Sequence, residues 1–165
     1  MVRPTLRPAR PEDAATLSAL ALRSKAHWGY DAAFMAMCVA ELTVTPELIE
    51  EGLALVAERD GRVAGFIICT PEGPAAAELH MIFVEPAAIG QGIGRLLVEA
   101  AFAELRHRGV RRVAVASDPH AEPFYRSCGF RPAGTVPSGS IPGRFLPRLC
   151  CALDHRYSLA PEEAH

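Results

Sequence analysis

Phe83-Val84-Glu85-Pro86-Ala87-Ala88-Ile89-Gly90-Gln91-Gly92-Ile93-Gly94-Arg95 leaves one kind of periodicity, crosses a glycine loop and enters another. Before it, Glu78–Val84 reads as a β-strand. After Pro86, Ile93, Leu96, Leu97, Ala100 and Ala101 recur at helical spacing, with Arg95, Glu99 and Arg106 on another face. His107-Arg108-Gly109 closes that helix with basic residues and a glycine. A glycine loop that opens a helix gathers free backbone N–H groups at the positive end of the helix dipole. That is an anion site, and glycines let a pyrophosphate come close to the backbone. Arg95 adds a cation in the first turn.

Several phosphate-binding loops share this physics, and spacing separates them. A Walker A loop requires Lys-Ser/Thr after its last glycine, where this chain has Arg95-Leu96. The dinucleotide fingerprint G-x-G-x-x-G requires glycine where Arg95 stands, although Asp118 lies near the place of a ribose-binding acid. A dinucleotide site and a structural glycine turn remain as competitors.

Outward from the loop, three β-like runs precede it. Leu53–Glu58 and Arg62–Cys69 flank Arg59-Asp60-Gly61, in which Asp-Gly signals a hairpin, and Glu78–Val84 follows the turn Pro71-Glu72-Gly73-Pro74. Upstream lie a short strand at Leu6-Arg7 and a helix that starts at Pro11-Glu12-Asp13 with the stripe Leu17, Leu20 and Ala21. A second helix is predicted over Asp31–Leu42 and a helical turn over Pro46–Glu51. Downstream come a strand (Arg112–Ala116), a short helix (Glu122–Cys128) and two more strands (Arg131–Val136 and Leu146–Leu153). The expected fold is α/β: a single mixed, mostly antiparallel sheet flanked by helices, with residues 1–165 as one domain.

Composition restricts the classes of function. Half of the 165 residues are hydrophobic and 22% are charged, an ordinary globular balance. The net charge of −2 argues against a nucleic-acid partner. All but one of the 17 basic residues are Arg, the exception being Lys25, which suggests a G+C-rich, bacterial coding bias. The five cysteines form no C-x-x-C, which fits a reducing cytoplasm. No His/Cys cluster has zinc spacing, so no metal is expected. The N-terminal run lacks an apolar signal region, and no apolar run approaches the ~20 residues of a membrane span. A cytoplasmic location is expected.

Two motifs together resemble one family. Gly92 and Gly94 match the small positions of motif A of the GNAT (general-control-related N-acetyltransferase) family, [QR]-x-x-G-x-[GA], with Ile89 at its Gln/Arg position. Further on, Asp118-Pro119-His120-Ala121-Glu122-Pro123-Phe124-Tyr125-Arg126-Ser127-Cys128-Gly129-Phe130 is similar to N-x-x-A-x-x-[FL]-Y-x-x-x-G-F. It matches at Ala121, Phe124, Tyr125, Gly129 and Phe130. Asp118 stands for the Asn, keeping an acceptor and losing an amide donor.

The resemblance implies acetyl transfer from acetyl-CoA to an amine on a small molecule, amino acid or peptide, without a metal. It implies a cofactor site built from Ile82, Phe83 and Val84 of one strand, the loop Ile89, Gly90, Gln91, Gly92, Ile93, Gly94 and Arg95, and Asp118, Ala121 and Phe124. It also implies a splay between the strands ending at Val84 and Ala116. Tyr125 corresponds to the family's general acid, since a phenol of pKa ~10 can protonate a departing thiolate. His80 and Glu78, two apart on one strand, are the candidate bases, with a solvent-facing sheet edge as the alternative reading. Trp28 and Tyr30, with Phe34, line an acceptor pocket or belong to the core. Arg144 reaches an acceptor carboxylate or is solvated. Family members dimerise through C-terminal strands, which makes a homodimer one arrangement. A non-catalytic acyl-CoA sensor is the runner-up to the enzyme.

Overall fold

The computed structural model describes residues 3–153. Asp60 and Gly61 both take positive φ (54° and 74°), the geometry of a two-residue type I′ turn whose twist matches its flanking strands. That turn joins β2 (Leu53–Arg59) to β3 (Arg62–Pro71). β1 (Thr5–Pro8) pairs with the outer side of β2, and β4 (Ala76–Val84) pairs antiparallel with β3.

The chain then crosses through α4 (Ile93–His107) to β5 (Arg112–Ala116), which runs parallel to β4. α5 (Glu122–Ser127) leads to β6 (Arg131–Pro137), and β7 (Phe145–Ala152) inserts between β5 and β6. The result is a seven-stranded sheet in the order β1-β2-β3-β4-β5-β7-β6, with β4/β5 as its parallel pair. The expected mixed, mostly antiparallel architecture is the observed one.

Side-chain alternation along the sheet feeds two apolar layers. Ile67 and Cys69 of β3 pack with Leu79, Ile93, Leu97, Ala101 and Phe130 on the α4 face. Phe66 and Ile68 face the opposite way, onto Leu17, Leu20 and Ala21 of α1 (Ala14–Ala26). α2 (Ala32–Cys38) and α3 (Pro46–Glu51) complete that second layer through Cys38 and Ile49.

Three expected boundaries move. Pro11–Asp13 forms a 3-10 turn ahead of α1, with Asp13 held by the Arg10 backbone N–H (2.7 Å) and the Arg7 guanidinium (2.8 Å). α2 is shorter than Asp31–Leu42. Asp31 caps its start through the Phe34 N–H, and beyond Cys38 the chain tightens into turns in which Thr43 bonds back to Ala40. α5 ends at Ser127, one residue short, because the Gly129 N–H already closes a tighter turn on Arg126.

Candidate active site

The glycine loop enters α4 through left-handed residues, Gly90 at φ 85° and Gly92 at φ 82°, and a Cβ at either would meet only open space. Their requirement is conformational. Gly94 answers to a different need: a Cβ there would lie 3.1 Å from the Phe124 ring, so its hydrogen lets α5 close on α4. The first helical bond is Leu96 N–H to the Gly92 carbonyl, which leaves the N–H groups of Ile93, Gly94 and Arg95 without helical partners. Arg95 donates to the carbonyl and hydroxyl of Ser127 at 3.1 and 3.0 Å, tying the start of α4 to the end of α5.

β4 and β5 pair only over Ala76–Glu78 and Arg112–Ala114. Beyond Glu78 the strands part, and the β4 backbone groups directed at β5 have no strand partner. The cause is in β4 itself: Ile68 pairs with Met81 and Cys69 with Leu79, so His80 is the extra residue of a β-bulge. The period-2 alternation expected along this strand therefore breaks between Leu79 and Met81. Leu79 packs in the α4 layer and Met81 in the α1 layer.

A cavity of about 560 Å³ fills the splay and continues to the loop. Ile82, Phe83, Val84, Ile89, Gly90, Gly92, Ile93, Gly94, Arg95, Asp118, Ala121 and Phe124 all line it; Gln91 does not, and its amide turns back to the Ala87 carbonyl at 3.4 Å. Among the described residues no group of three His, Cys, Asp or Glu is placed to hold a metal.

Tyr125 is 6% exposed, its ring set edge-on against Phe124 and Phe130 (both centroids at 5.5 Å). It lines the cavity, and its hydroxyl has no hydrogen-bond partner among the described residues while retaining accessible surface. Buried tyrosine hydroxyls normally find a partner. Burial, reinforced by the charges of Asp118, Cys128 and Cys69, pushes its pKa up, so the phenol keeps its proton.

Glu78 and His80 both line the same cavity. Glu78 is half-buried, and burial raises its carboxyl pKa, with Arg148 at 3.7 Å opposing and Glu72 assisting. His80 is exposed. Behind Glu78, burial and the Glu78 charge push the Cys69 thiol up to about 12, which makes it an inert core group.

The far wall departs from expectation. Trp28 and Arg144 line the cavity, but Tyr30 does not. Its ring stacks on Phe34 (4.1 Å, 11°) behind the wall, and its hydroxyl bonds to Asp118 at 2.8 Å. Arg144 is not solvated: its side chain is 21% exposed, donates to the Tyr30 hydroxyl at 3.1 Å and lies 4.9 Å over the Phe34 ring. Lys25 lies 3.0 Å from Asp118. His120 does not cap the short helical segment; Asp118 does, accepting the His120 N–H, while the imidazole stacks on Trp28 (5.2 Å, 7°).

Sequence reasoning missed Lys25 as part of the site. The signal it left is a single lysine in a chain otherwise basic through arginine, beside an aromatic loop. Glu85, at the start of the glycine loop, is paired with Arg23 through both oxygens (2.8 Å each).

The chain is similar to several known proteins. The chain is 36% identical over 70 residues to serotonin N-acetyltransferase 2 of Oryza sativa subsp. japonica, covering 42% of this chain and 35% of that protein. It is 36% identical over 78 residues to a mycothiol acetyltransferase of Thermomonospora curvata, covering 46% and 26%. The match thus spans about a third or less of those relatives' length. The fold superposes on a PaiA N-acetyltransferase from Thermoplasma acidophilum in complex with coenzyme A, with a TM-score of 0.76 and 20% identity over 92% of this chain and 99% of that one. A profile of the acetyltransferase (GNAT) family matches residues 21–130, which span the loop, the bulged strand and the Tyr125 segment, and the chain belongs to that family.

Proposed function

We propose that residues 1–165 form a single N-acetyltransferase domain that moves the acetyl group of acetyl-CoA to an amine on a small molecule, an amino acid or a peptide. The observation that carries this reading is the Tyr125 hydroxyl, a proton donor held between aromatic rings at the cavity with no hydrogen-bond partner among the described residues.

The residues present fit the cofactor. The free N–H groups of Ile93, Gly94 and Arg95 suit a pyrophosphate. The unpaired edge of β4 over Ile82–Val84 suits the amide groups of a pantetheine arm. Acetyl-CoA, when bound, supplies the activated acetyl thioester. With it bound, the β4 backbone donors over Ile82–Val84 would face the thioester and would stabilise negative charge there without reorganising. Tyr125 holds its proton at Oη for the departing sulfur. Glu78 or His80 takes the proton of the acceptor's ammonium. Burial raises the Glu78 carboxyl pKa, which suits a base at this position without deciding between it and His80.

No helix among the described residues is long and apolar enough to cross a membrane. Five free cysteines support a reducing, cytoplasmic setting, and the arginine bias supports a bacterial source. In a homodimer, the outer edge of β6 would meet a partner by packing rather than by strand pairing, because Pro132, Pro137 and the irregular register beside Pro132 blunt that edge.

The test is release of coenzyme A thiol in the presence of spermidine, tyramine, kanamycin, L-lysine or a short peptide, with product identified by an acetyl mass shift. Turnover of one of these amines is the expected result. Tight binding of acetyl-CoA with no turnover of any amine would replace the enzyme with an acyl-CoA-binding module.

A further inference from the structure

Asp118 occupies a position that the family resemblance gives to the cofactor site, yet its carboxylate is directed elsewhere. Oδ2 accepts from Lys25 Nζ at 3.0 Å and from the Tyr30 hydroxyl at 2.8 Å. Oδ1 accepts the His120 N–H at 2.9 Å. The Arg144 guanidinium approaches to 3.8 Å and donates to the same Tyr30 hydroxyl.

These partners come from the last turn of α1, the α1–α2 loop and the β6–β7 loop. All three meet at Asp118, in the segment between β5 and α5. Two cations share one anion here, and among the described residues neither has another carboxylate partner, so a neutral Asn would remove the charge that both face in a half-buried wall. The ionised carboxylate also has no proton to donate to a cofactor carbonyl, and its lone pairs are already engaged.

We propose that Asp118 is a positioning residue for the acceptor side of the cavity, holding the α1–α2 and β6–β7 loops together through Lys25, Tyr30 and Arg144, rather than a ligand to the cofactor. This explains why this chain carries Asp where the family motif has Asn. It also places Trp28, whose indole rests on the ring of His120, under the control of the same cluster.

The kinetic part of the proposal rests on the acetyl-transfer reading; the placement of the loop does not, and the two are tested apart. Trp28 is the chain's single tryptophan and lines the cavity, so its fluorescence reports the loop directly. In Asp118→Asn, quenching of Trp28 by acrylamide should rise about twofold as the loop loosens. The Kd for coenzyme A by calorimetry should stay within about twofold of wild type. With whichever of spermidine, tyramine, kanamycin or L-lysine the wild type acetylates, the KM for the amine should rise about tenfold while the KM for acetyl-CoA holds.

Should Asp118→Asn fail to fold, Tyr30→Phe removes only the bridging hydroxyl, keeps the stack on Phe34, and should change the same quantities in the same direction. Loss of coenzyme A affinity with unchanged Trp28 quenching would overturn the proposal and restore Asp118 to the cofactor site. Unchanged quenching with unchanged affinity would overturn it as well. Absence of turnover in the wild type would sink the enzymatic reading while leaving the fluorescence result to decide the loop.

Discussion

Replacing Tyr125 with Phe removes one oxygen and nothing else from a packed aromatic cluster. The ring contacts to Phe124 and Phe130 at 5.5 Å are kept, and the hydroxyl lost makes no hydrogen bond to the described residues. Folding stability should therefore move by less than about 0.5 kcal/mol, whereas Tyr125→Ala would open a cavity at a cost of about 3–5 kcal/mol. On the proposed role the hydroxyl contributes only where charge develops on sulfur, so coenzyme A affinity should also hold. Loss of a positioned acid lowers kcat by about 10²-fold, about 2.7 kcal/mol of barrier. A thiolate leaves tolerably without help, so a fall nearer about tenfold also fits. Burial raises the Tyr125 pKa above its ordinary value, so the wild-type phenol stays protonated across neutral and mildly basic pH, and the ratio of the two rates should be flat there. The assay is steady-state thiol release with the cognate amine, alongside thermal melting and calorimetry. An unchanged kcat in a folded variant, with chemistry rate-limiting, would refute the role and reduce Tyr125 to packing.

Gly92→Val forces a β-branched residue to φ 82°, which should rebuild the loop and weaken coenzyme A binding by more than about tenfold, or 1.4 kcal/mol, in calorimetry. Unchanged affinity would remove the loop from the cofactor site. Glu78→Gln should lower the rate most above the raised pKa of the wild-type carboxylate, and should recover as a further rise in pH deprotonates the amine in solution. The wild-type carboxylate, with its raised pKa, is itself lost as pH falls through that value. His80→Gln serves as the comparison, and an unaltered pH–rate profile in both would leave water as the base. Asp13 lies below its ordinary pKa, chiefly through the Arg7 hydrogen bond, so its stabilising effect is complete above the unfolded value of ~3.9 and is lost as pH falls through the folded one. Melting of Asp13→Asn should thus differ from wild type at neutral pH and converge with it in acid; a constant difference would contradict the assignment.

What the sequence made legible was whatever depends on residues close to one another along the chain. Asp60-Gly61 specified its turn because both positions need positive φ. The apolar spacing from Ile93 specified α4, though the buried face runs through Val98 and Phe102 rather than Leu96. The role of Gly94 was read as phosphate access, while its neighbour proved to be Phe124, thirty positions away and invisible to local pattern. The Asp118 cluster was illegible for the same reason. Lys25 and Tyr30 lie 93 and 88 positions from Asp118, so no local pattern joins the residues that the fold brings together.

The bulge at His80 is where fold and chemistry meet. An alternating strand of this length, read without its partner, puts Glu78 and His80 on one face. One inserted residue shifts the phase, so that Leu79 serves the α4 layer and Met81 the α1 layer without either core losing a side chain. The same insertion bends β4 away from β5 directly after their last pair, Glu78 and Ala114. A regular strand would extend that pairing, satisfy the backbone of Ile82–Val84 and close the cavity between loop and tyrosine. The unpaired strand edge is therefore not a defect of the sheet. It leaves the backbone of Ile82–Val84 open to the cavity that Tyr125 and the start of α4 also line.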